Sequence, residues 1–206
     1  MQPKEHWEHV YATKATDAAS WYQEHAEQSL RLIKATGVPL SAAIIDVGGG
    51  ASTLVDGLLG DGYSKLTVLD LSAAALTAAR NRLGSRADLV NWMAADISKV
   101  ELRVHSFDVW HDRAVFHFLT APEDRAGYVQ TVLRAVKPGG HVIIATFAED
   151  GPTRCSGLPV MRYTAKELHA ELGGSFALVG HAKEAHRTPS GAIQQFTYCC
   201  FRVPPT

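Results

Sequence analysis

The chain has 206 residues and a formal net charge of −1, which together indicate one globular domain of ordinary size. Hydrophobic residues make up 46% of the chain and charged residues 20%, so the overall charge gives no reason to expect a nucleic acid or an anionic membrane as a partner. No apolar run approaches the length of a membrane span, and the residues after Met1 lack the apolar core of a signal peptide. We therefore expect a cytoplasmic protein, either a monomer or a homodimer.

The three cysteines, Cys155, Cys199 and Cys200, form no paired framework and no Cys-x-x-Cys motif. Two of them are adjacent, and a disulfide between neighbouring residues is strained. The pattern predicts reduced thiols in a reducing compartment, and no metal site is predicted.

The order of the predicted elements indicates a parallel α/β sheet. A first helix is predicted over 16–36. Short apolar runs then predict strands at 42–47, 66–69, 89–92, 107–110 and 141–147. Helical patterns at 52–59, 72–83 and 123–136 lie between them. Such alternation favours parallel strands with helices on both faces of the sheet.

The pattern changes after Asp150. A helix is predicted at 164–172, followed by strands at 176–179 and 194–201 that a polar stretch joins. This ending predicts an antiparallel hairpin added to the sheet. The whole chain thus predicts a Rossmann-like, doubly wound α/β fold with a seven-stranded, mostly parallel sheet and a C-terminal antiparallel hairpin.

A glycine turn follows the first predicted strand. The apolar run ends in Asp46, and Gly48, Gly49 and Gly50 come directly before the next helix. Glycine has no Cβ and tolerates positive φ, so a ligand can approach the backbone closely at such a turn. The free N–H groups of the following helix point toward the same place. The turn therefore predicts a nucleotide-type cradle.

An acidic residue, Asp70, ends the second predicted strand about twenty residues after the turn, which is the spacing of a ribose-binding carboxylate in such sheets. The alternative is that Asp70 only caps the next helix. A dinucleotide fingerprint would also need a third glycine where this chain has Thr53, because that glycine permits tight packing of helix on strand. Its absence argues against a nicotinamide oxidoreductase.

Five segments resemble, in order, the motifs of the class I S-adenosylmethionine-dependent methyltransferases. They are residues 46–52, 68–72, 94–97, 107–110 and 133–140. The resemblance implies S-adenosyl-L-methionine as the cofactor, with its amino acid part at Gly48, Gly49 and Gly50. It further implies that Asp70 holds the ribose, and that Asp96 and Ile97 flank the adenine, with Asp96 accepting from its exocyclic amine.

Three further residues, Asp46, Leu71 and Trp21, complete the predicted cofactor-binding set. With the resemblance, the single methyltransferase domain over 1–206 divides into three parts. Residues 1–40 are expected to form an N-terminal helical lid and 41–150 the cofactor-binding core. Residues 151–206 are expected to supply a substrate-side loop, a helix and the hairpin. The aromatic residues ahead of the first strand suit a lid that excludes water.

Methyl transfer requires an acceptor atom in line behind the methyl group and, for some acceptors, a base. The segment after the fourth strand offers His111 and Asp112, which we predict as catalytic residues, and Arg113, which could hold an acid. The alternative is that Asp112 and Arg113 pair with each other or cap the next helix. His117 is more typical of a packed core histidine.

The predicted function is methyl transfer to a small-molecule acceptor. One alternative is a protein lysine, because Asp112-Arg113-Ala114 resembles the Asp-Lys-Gly motif of a subgroup containing eukaryotic protein-lysine methyltransferases, and residues 6–11 resemble its Trp-x-x-x-Tyr opening. Another alternative is cofactor binding without catalysis. The loop 150–159 is a second acceptor-side candidate, and Cys155 in it, together with Cys199 or Cys200, would suggest a thiophilic metalloid substrate, which resembles some arsenic methyltransferases.

Overall fold

A computed structural model describes residues 3–13 and 15–205; residues 1, 2, 14 and 206, which fall within the predicted lid and hairpin limits, lie outside the described residues. The strands of its main sheet are β1 (Ala43–Val47), β2 (Lys65–Asp70), β3 (Val90–Ala94), β4 (Phe107–Arg113), β5 (Val136–Phe147), β8 (Ala177–Arg187) and β9 (Ile193–Arg202). A separate small hairpin is formed by β6 (Arg154–Cys155) and β7 (Leu158–Pro159).

The main sheet has the strand order β3-β2-β1-β4-β5-β9-β8. Its first five strands are parallel, β9 runs antiparallel to β5, and β8 runs antiparallel to β9. The predicted fold class, a seven-stranded, mostly parallel Rossmann-like sheet with a C-terminal antiparallel hairpin, is confirmed.

The helices are α1 (Pro3–Thr13), which contacts α4, and α2 (Glu27–Ala35), α3 (Leu54–Gly60), α4 (Ala73–Leu83), α5 (Pro122–Ala135) and α6 (Ala165–Leu172). Successive strand residues point to opposite faces, so Ile44 and Ile45 enter two different hydrophobic clusters. One cluster contains Trp110 and Tyr128, and the other contains Ile33. Both faces of the sheet are therefore covered, as a parallel sheet requires.

The parallel register brings the carboxyl ends of the central strands together. Asp46 on β1 pairs with His111 on β4, and Val47 pairs with Asp112. Residues that are far apart in the sequence thus meet at one edge of the sheet, where open α/β folds bind their ligands.

The N-terminal segment corrects the predicted helix over 16–36. The helix α2 covers only Glu27–Ala35, after a 3-10 turn at Thr16–Ala18, and α1 was not predicted. Between the turn and α2, backbone carbonyls accept hydrogen bonds from side chains of other elements, so helical bonding is replaced there by tertiary bonding. A propensity pattern cannot reveal that competition.

The hairpin is longer than predicted. The polar stretch after 176–179 continues as strand β8, whose residues alternate between exposed and half-buried positions. An edge strand with one face in water carries polar residues, which is why the stretch resembles a loop in the sequence. The three cysteines are free thiols.

Two features of the described ranges bear on function. None of the helices within 3–13 and 15–205 combines the length and apolar composition of a membrane crossing. Within the same ranges no three or more His, Cys, Asp or Glu side chains converge as a metal site.

Ala114 follows β4 with a φ of +73°, in the left-handed region that favours glycine. For an L-residue this conformation costs about 1–2 kcal/mol, whereas glycine adopts it freely. Ala114 occupies the position of glycine in the Asp-Lys-Gly-type motif. The backbone at Ala114 thus has a left-handed conformation that glycine, the residue of that motif, adopts without strain.

We expect Ala114→Gly to raise the free energy of unfolding by up to about 1 kcal/mol, because relief of the left-handed alanine exceeds the entropy cost of glycine. Urea unfolding would measure it. The control is Ala78→Gly in the interior of α4, which should lower stability by about 1 kcal/mol. Equal losses in both variants would contradict the prediction.

Candidate active site

The glycine turn after β1 is crowded by side chains that leave no room for a Cβ. Gly48 has a φ of +69°, and an added Cβ would collide with Val115. A Cβ on Gly49 would collide with the Asp46 carboxylate, and one on Gly50 would lie 2.6 Å from Asp70 Oδ2. Each of the three glycines is therefore required by its surroundings.

Asp46 is the first residue of a buried hydrogen-bonded chain. Its Oδ1 lies 2.7 Å from His111 Nδ1, and His111 Nε2 lies 2.9 Å from Ser29 Oγ on α2. All three side chains are buried. The other carboxylate oxygen, Asp46 Oδ2, is buried without a hydrogen-bond partner and faces the glycine turn. A cationic donor is the group that such an oxygen lacks.

Asp70 connects the turn to α4. Its Oδ2 accepts from the Gly50 N–H at 3.0 Å, and its Oδ1 accepts from the Ser72 N–H at 2.8 Å. Burial raises the pKa of Asp70 to about 6, against these hydrogen bonds and with a further contribution from the Asp46 charge. The carboxylate is thus mostly ionised at neutral pH and mostly protonated at pH 5.

Two cavities adjoin the turn. The small cavity, about 40 Å³, is lined by Ser29, Asp46, Gly48, Gly49 and His111 among others. The large cavity, about 390 Å³, is lined by Asp70, Leu71, Asp96 and Ile97 among others. Trp21, Gly48 and Arg113 line both cavities. All the predicted cofactor-binding residues except Gly50 therefore line these two adjacent cavities, and Gly50 lies in the turn itself.

Asp96 is held by its neighbours at the far side of the large cavity. Its Oδ1 accepts from the Ser98 N–H at 3.0 Å and from Ser98 Oγ at 2.7 Å, while Lys99 Nζ lies 3.3 Å from Oδ2. Burial acts to raise the pKa of Asp96, but these contacts outweigh it and lower the value. The group remains a carboxylate that can accept hydrogen bonds.

Helix α1 is fastened across the large cavity through Glu8. Its carboxylate accepts from the N–H groups of Ala73 and Ala74 and from Ser72 Oγ at 2.7–3.2 Å. These are the first N–H groups of α4, where a negative charge is stabilised by the helix. The same helix places Trp7 and Tyr11 in the cavity wall.

The aromatic side chains of this wall pack edge to face. The ring centroid of Trp7 lies 5.7 Å from Trp21 and 5.2 Å from Phe118, and Tyr11 lies 5.9 Å from Trp21. Together they join α1, the following segment and the turn after β4.

Segment 19–23 is bonded to three other elements. The carbonyl of Ser20 accepts from His186, that of Trp21 from Arg113 and that of Gln23 from Thr53. The bonds measure 2.9–3.2 Å and come from β8, β4 and the start of α3. The segment therefore closes the small cavity from the side opposite the glycine turn.

Arg113 pairs with Glu184 rather than with Asp112. Its Nη2 lies 3.3 Å from Glu184 Oε2, and its Nε donates to Tyr198 Oη at 2.8 Å. The guanidinium also stacks 4.2 Å over the Phe196 ring. This places a fixed cation where the two cavities meet.

Asp112 and His117 do not line either cavity. Asp112 accepts from the N–H groups of Val115 and Phe116 and from Tyr128 Oη at 2.6–3.1 Å, so it stabilises the turn after β4. Burial raises its pKa to about 6, against those hydrogen bonds. Burial lowers the pKa of His117 to about 3, and it packs as a neutral ring.

Sequence reasoning missed Ser29, Glu8 and Glu184. Each comes from an element whose position depends on tertiary packing, and Ser29 and Glu184 belong to no recognisable motif. A possible signal for Glu8 was the resemblance of residues 6–11 to the Trp-x-x-x-Tyr opening.

Residues 45–144 match the family model described as "Methyltransferase domain". A relative from Danio rerio, "EEF1A lysine methyltransferase 2", is 27% identical over 157 residues, which is 69% of this chain and 67% of the relative. The Mus musculus protein of the same name is 22% identical over 157 residues, 69% of this chain and 64% of that protein. The chain thus spans about two thirds of the length of these relatives.

Solved structures show the same fold. A protein studied for the conversion of a disulfide bond into a thioacetal group during echinomycin biosynthesis aligns with a TM-score of 0.80 and 19% identity, over 98% of this chain and 92% of that one. A Burkholderia thailandensis 1,6-didemethyltoxoflavin-N1-methyltransferase, solved with S-adenosylhomocysteine, aligns with a TM-score of 0.69 and 22% identity, over 95% and 81%.

The geometry fits this cofactor. An unpaired buried carboxylate oxygen faces the glycine turn, and a second carboxylate lies beside it at the end of β2. A hydrogen-bond donor is what the unpaired oxygen of Asp46 lacks. Residues 45–144 form a methyltransferase domain, and the whole chain has the fold of the S-adenosylmethionine-dependent methyltransferases.

Proposed function

We propose that this methyltransferase acts on a small molecule that binds in the large cavity. The observation that carries the proposal is the position of α1, which Glu8 fastens across that cavity. Trp7 and Tyr11 then form a wall where a protein substrate would need an open surface. The space left suits a compact acceptor more than a folded partner.

Residue roles follow from the cavity linings. We assign the amino acid part of the cofactor to the small cavity, with its ammonium at Asp46 Oδ2 and its carboxylate near the backbone of the glycine turn. The ribose is assigned to Asp70 and the adenine to Asp96 and Ile97, beside Leu71. S-adenosylmethionine supplies an electrophilic methyl group on a positively charged sulfur.

We assign His111 as a positioning residue and Asp112 as a structural one, which modifies their predicted catalytic roles. His111 holds Asp46 in place through one ring nitrogen and contacts Ser29 through the other. The oxygens of Asp112 are engaged by the turn after β4. Trp21 lines both cavities and is assigned to cover the cofactor.

A protein lysine is the second candidate acceptor. The Danio rerio and Mus musculus relatives carry that activity in their names, and Ala114 has a backbone conformation that favours glycine at the corresponding motif position. If α1 lifts from the sheet, the large cavity opens to a lysine side chain. Cofactor binding without catalysis is the third possibility.

Three further parts of the proposal concern the protein as a whole. The 1–206 domain is proposed to use residues 1–40 as the lid, 41–150 as the cofactor-binding core and 151–206 as the acceptor side. We propose a cytoplasmic location, which the free cysteines favour, and a monomer or homodimer.

Label transfer separates the candidate acceptors. Incubation of a cell lysate with the protein and radiolabelled S-adenosylmethionine should place label in the small-molecule fraction. Label confined to proteins would favour the lysine alternative instead. Absence of label from both, with tight S-adenosylhomocysteine binding by calorimetry, would favour the non-catalytic alternative.

The ribose role of Asp70 predicts a pH dependence. Its pKa of about 6 means that the ionised form, which accepts from both ribose hydroxyls, is lost as the pH falls. S-adenosylhomocysteine affinity should be constant above pH 7 and should fall by about tenfold per unit well below pH 6. Asp70→Asn should bind weakly and without this pH step. The same step in Asp70→Asn would contradict the assignment.

If His111 positions Asp46, replacing His111 should weaken only the binding of the amino acid part of the cofactor. In His111→Leu, S-adenosylhomocysteine affinity should fall about tenfold or more, as expected when a hydrogen bond to a charged group is removed. The affinity for 5′-methylthioadenosine, which lacks that end, should change little, and His111→Asn should retain part of the binding. Thr131→Val, which removes a buried hydroxyl from α5, is the control. Equal loss of both ligands would indicate a merely structural role.

A further inference from the structure

We infer that the acceptor atom carries an unshared electron pair at neutral pH and belongs to a small, flat nitrogen heterocycle. The inference rests on the proposed function, because it locates the reacting methyl group from the two cofactor cavities. The sulfur of the cofactor joins its amino acid part to its adenosine, so it belongs where the small and large cavities meet. Trp21, Gly48 and Arg113 line that junction.

No described side chain lining the junction can take a proton there at neutral pH. Arg113 is a permanent cation, held by Glu184 and Tyr198. Tyr11 and Cys155 are titratable groups that line the large cavity, and burial raises the pKa of both. A neutral phenol and a neutral thiol are poor bases.

The acids and the histidine of the two cavities are engaged elsewhere. Asp70 accepts from two backbone N–H groups, and Asp46 and His111 bond to each other. Asp96 is bonded to Ser98 and paired with Lys99 at the adenine side. Asp124 is exposed in the first turn of α5, at the cavity rim.

Glu184 is an acid beside the junction, because it bonds to Arg113. Its Oε2 bonds to Arg113 and to Tyr198 Oη, and its Oε1 accepts from Gln23 Nε2 at 2.9 Å. It lines neither cavity. Transferring a proton to Glu184 would leave the Arg113 cation unpaired, which is costly for a group this buried.

The charges at the junction also disfavour a cationic acceptor. A lysine ε-amine has a pKa near 10.4 and arrives as an ammonium. It would have to lose its proton between Arg113 and the positive sulfur of the cofactor, without a base beside it. A ring nitrogen that is unprotonated at neutral pH meets neither difficulty.

The cavity walls favour a flat apolar ring. Trp7, Tyr11 and Phe118 present aromatic surfaces, and Leu158 and Pro159 from the β7 strand add aliphatic ones. Aromatic walls bind planar rings by stacking and edge contacts.

The transfer step balances without a base. The ring nitrogen supplies the electron pair of the new bond to the methyl carbon, and the pair of the broken carbon–sulfur bond remains on sulfur. The products are an N-methylated heterocyclic cation and neutral-sulfur S-adenosylhomocysteine. The positive charge moves from sulfur to nitrogen.

A matched pair of probes tests the inference. Calorimetry with the S-adenosylhomocysteine-loaded full chain would compare quinoline with N-methylquinolinium, which has the same shape but a permanent charge. We expect quinoline to bind at least about tenfold more tightly. A lysine-containing peptide should show no binding at the same concentrations.

A kinetic arm uses tritiated S-adenosylmethionine with quinoline, isoquinoline and benzimidazole. Transfer to at least one ring nitrogen should occur at a rate that is flat between pH 7 and 9, whereas a lysine acceptor would gain about tenfold per pH unit. Tighter binding of the cation, methylation of the peptide, or no transfer to any of the three heterocycles would overturn the inference. Failure of S-adenosylhomocysteine itself to bind would instead overturn the proposed function.

Discussion

Two buried carboxylates and one glycine turn set the geometry on which the rest of this site depends. Asp46 and Asp70 occupy the space that side chains on Gly49 and Gly50 would need. The backbone must therefore be bare at these positions, and a bare backbone is what admits a ligand. Under the proposed function, this bare backbone is where the amino acid part of the cofactor approaches.

Asp46 and Asp70 also place two buried carboxylates near each other. Burial raises the pKa of Asp70 to about 6, and the Asp46 charge contributes to the rise. His111 forms a hydrogen bond with one oxygen of Asp46, but the other oxygen of that carboxylate has no partner. Under the proposed function, the ammonium group of the cofactor would supply the missing partner of this oxygen.

The parts of the molecule that could be predicted are those coded by adjacent residues. The order of the strands of the main sheet and of the helices after β1, the glycine turn and the acid ending β2 all have local patterns, and each is confirmed. The face of a strand is harder to read. His111 and Asp112 are neighbours on β4, yet alternation sends them to opposite sides, toward Ser29 and toward Tyr128. The sequence shows two polar residues at a strand end, and only packing decides which one meets a cavity.

The structure of the N-terminal segment could not be predicted from the sequence for a related reason. Its carbonyl groups accept hydrogen bonds from side chains on β4, on β8 and at the start of α3. The carboxylate of Glu8 bonds to helix α4. These partners lie at least 30 residues away in the sequence, so a short stretch of sequence cannot contain both members of a pair. Long-range hydrogen bonds decide this segment, whereas helix propensity decides much of the rest.

The walls of the large cavity come from three stretches of chain, and only the middle one falls within the residues 45–144 that match the methyltransferase domain. Trp7, Tyr11 and Trp21 precede it, while Cys155, Leu158 and Pro159 follow it. Under the proposed function, much of the acceptor-facing wall thus lies outside the matched domain, and a change of acceptor would begin with substitutions in these flanking residues.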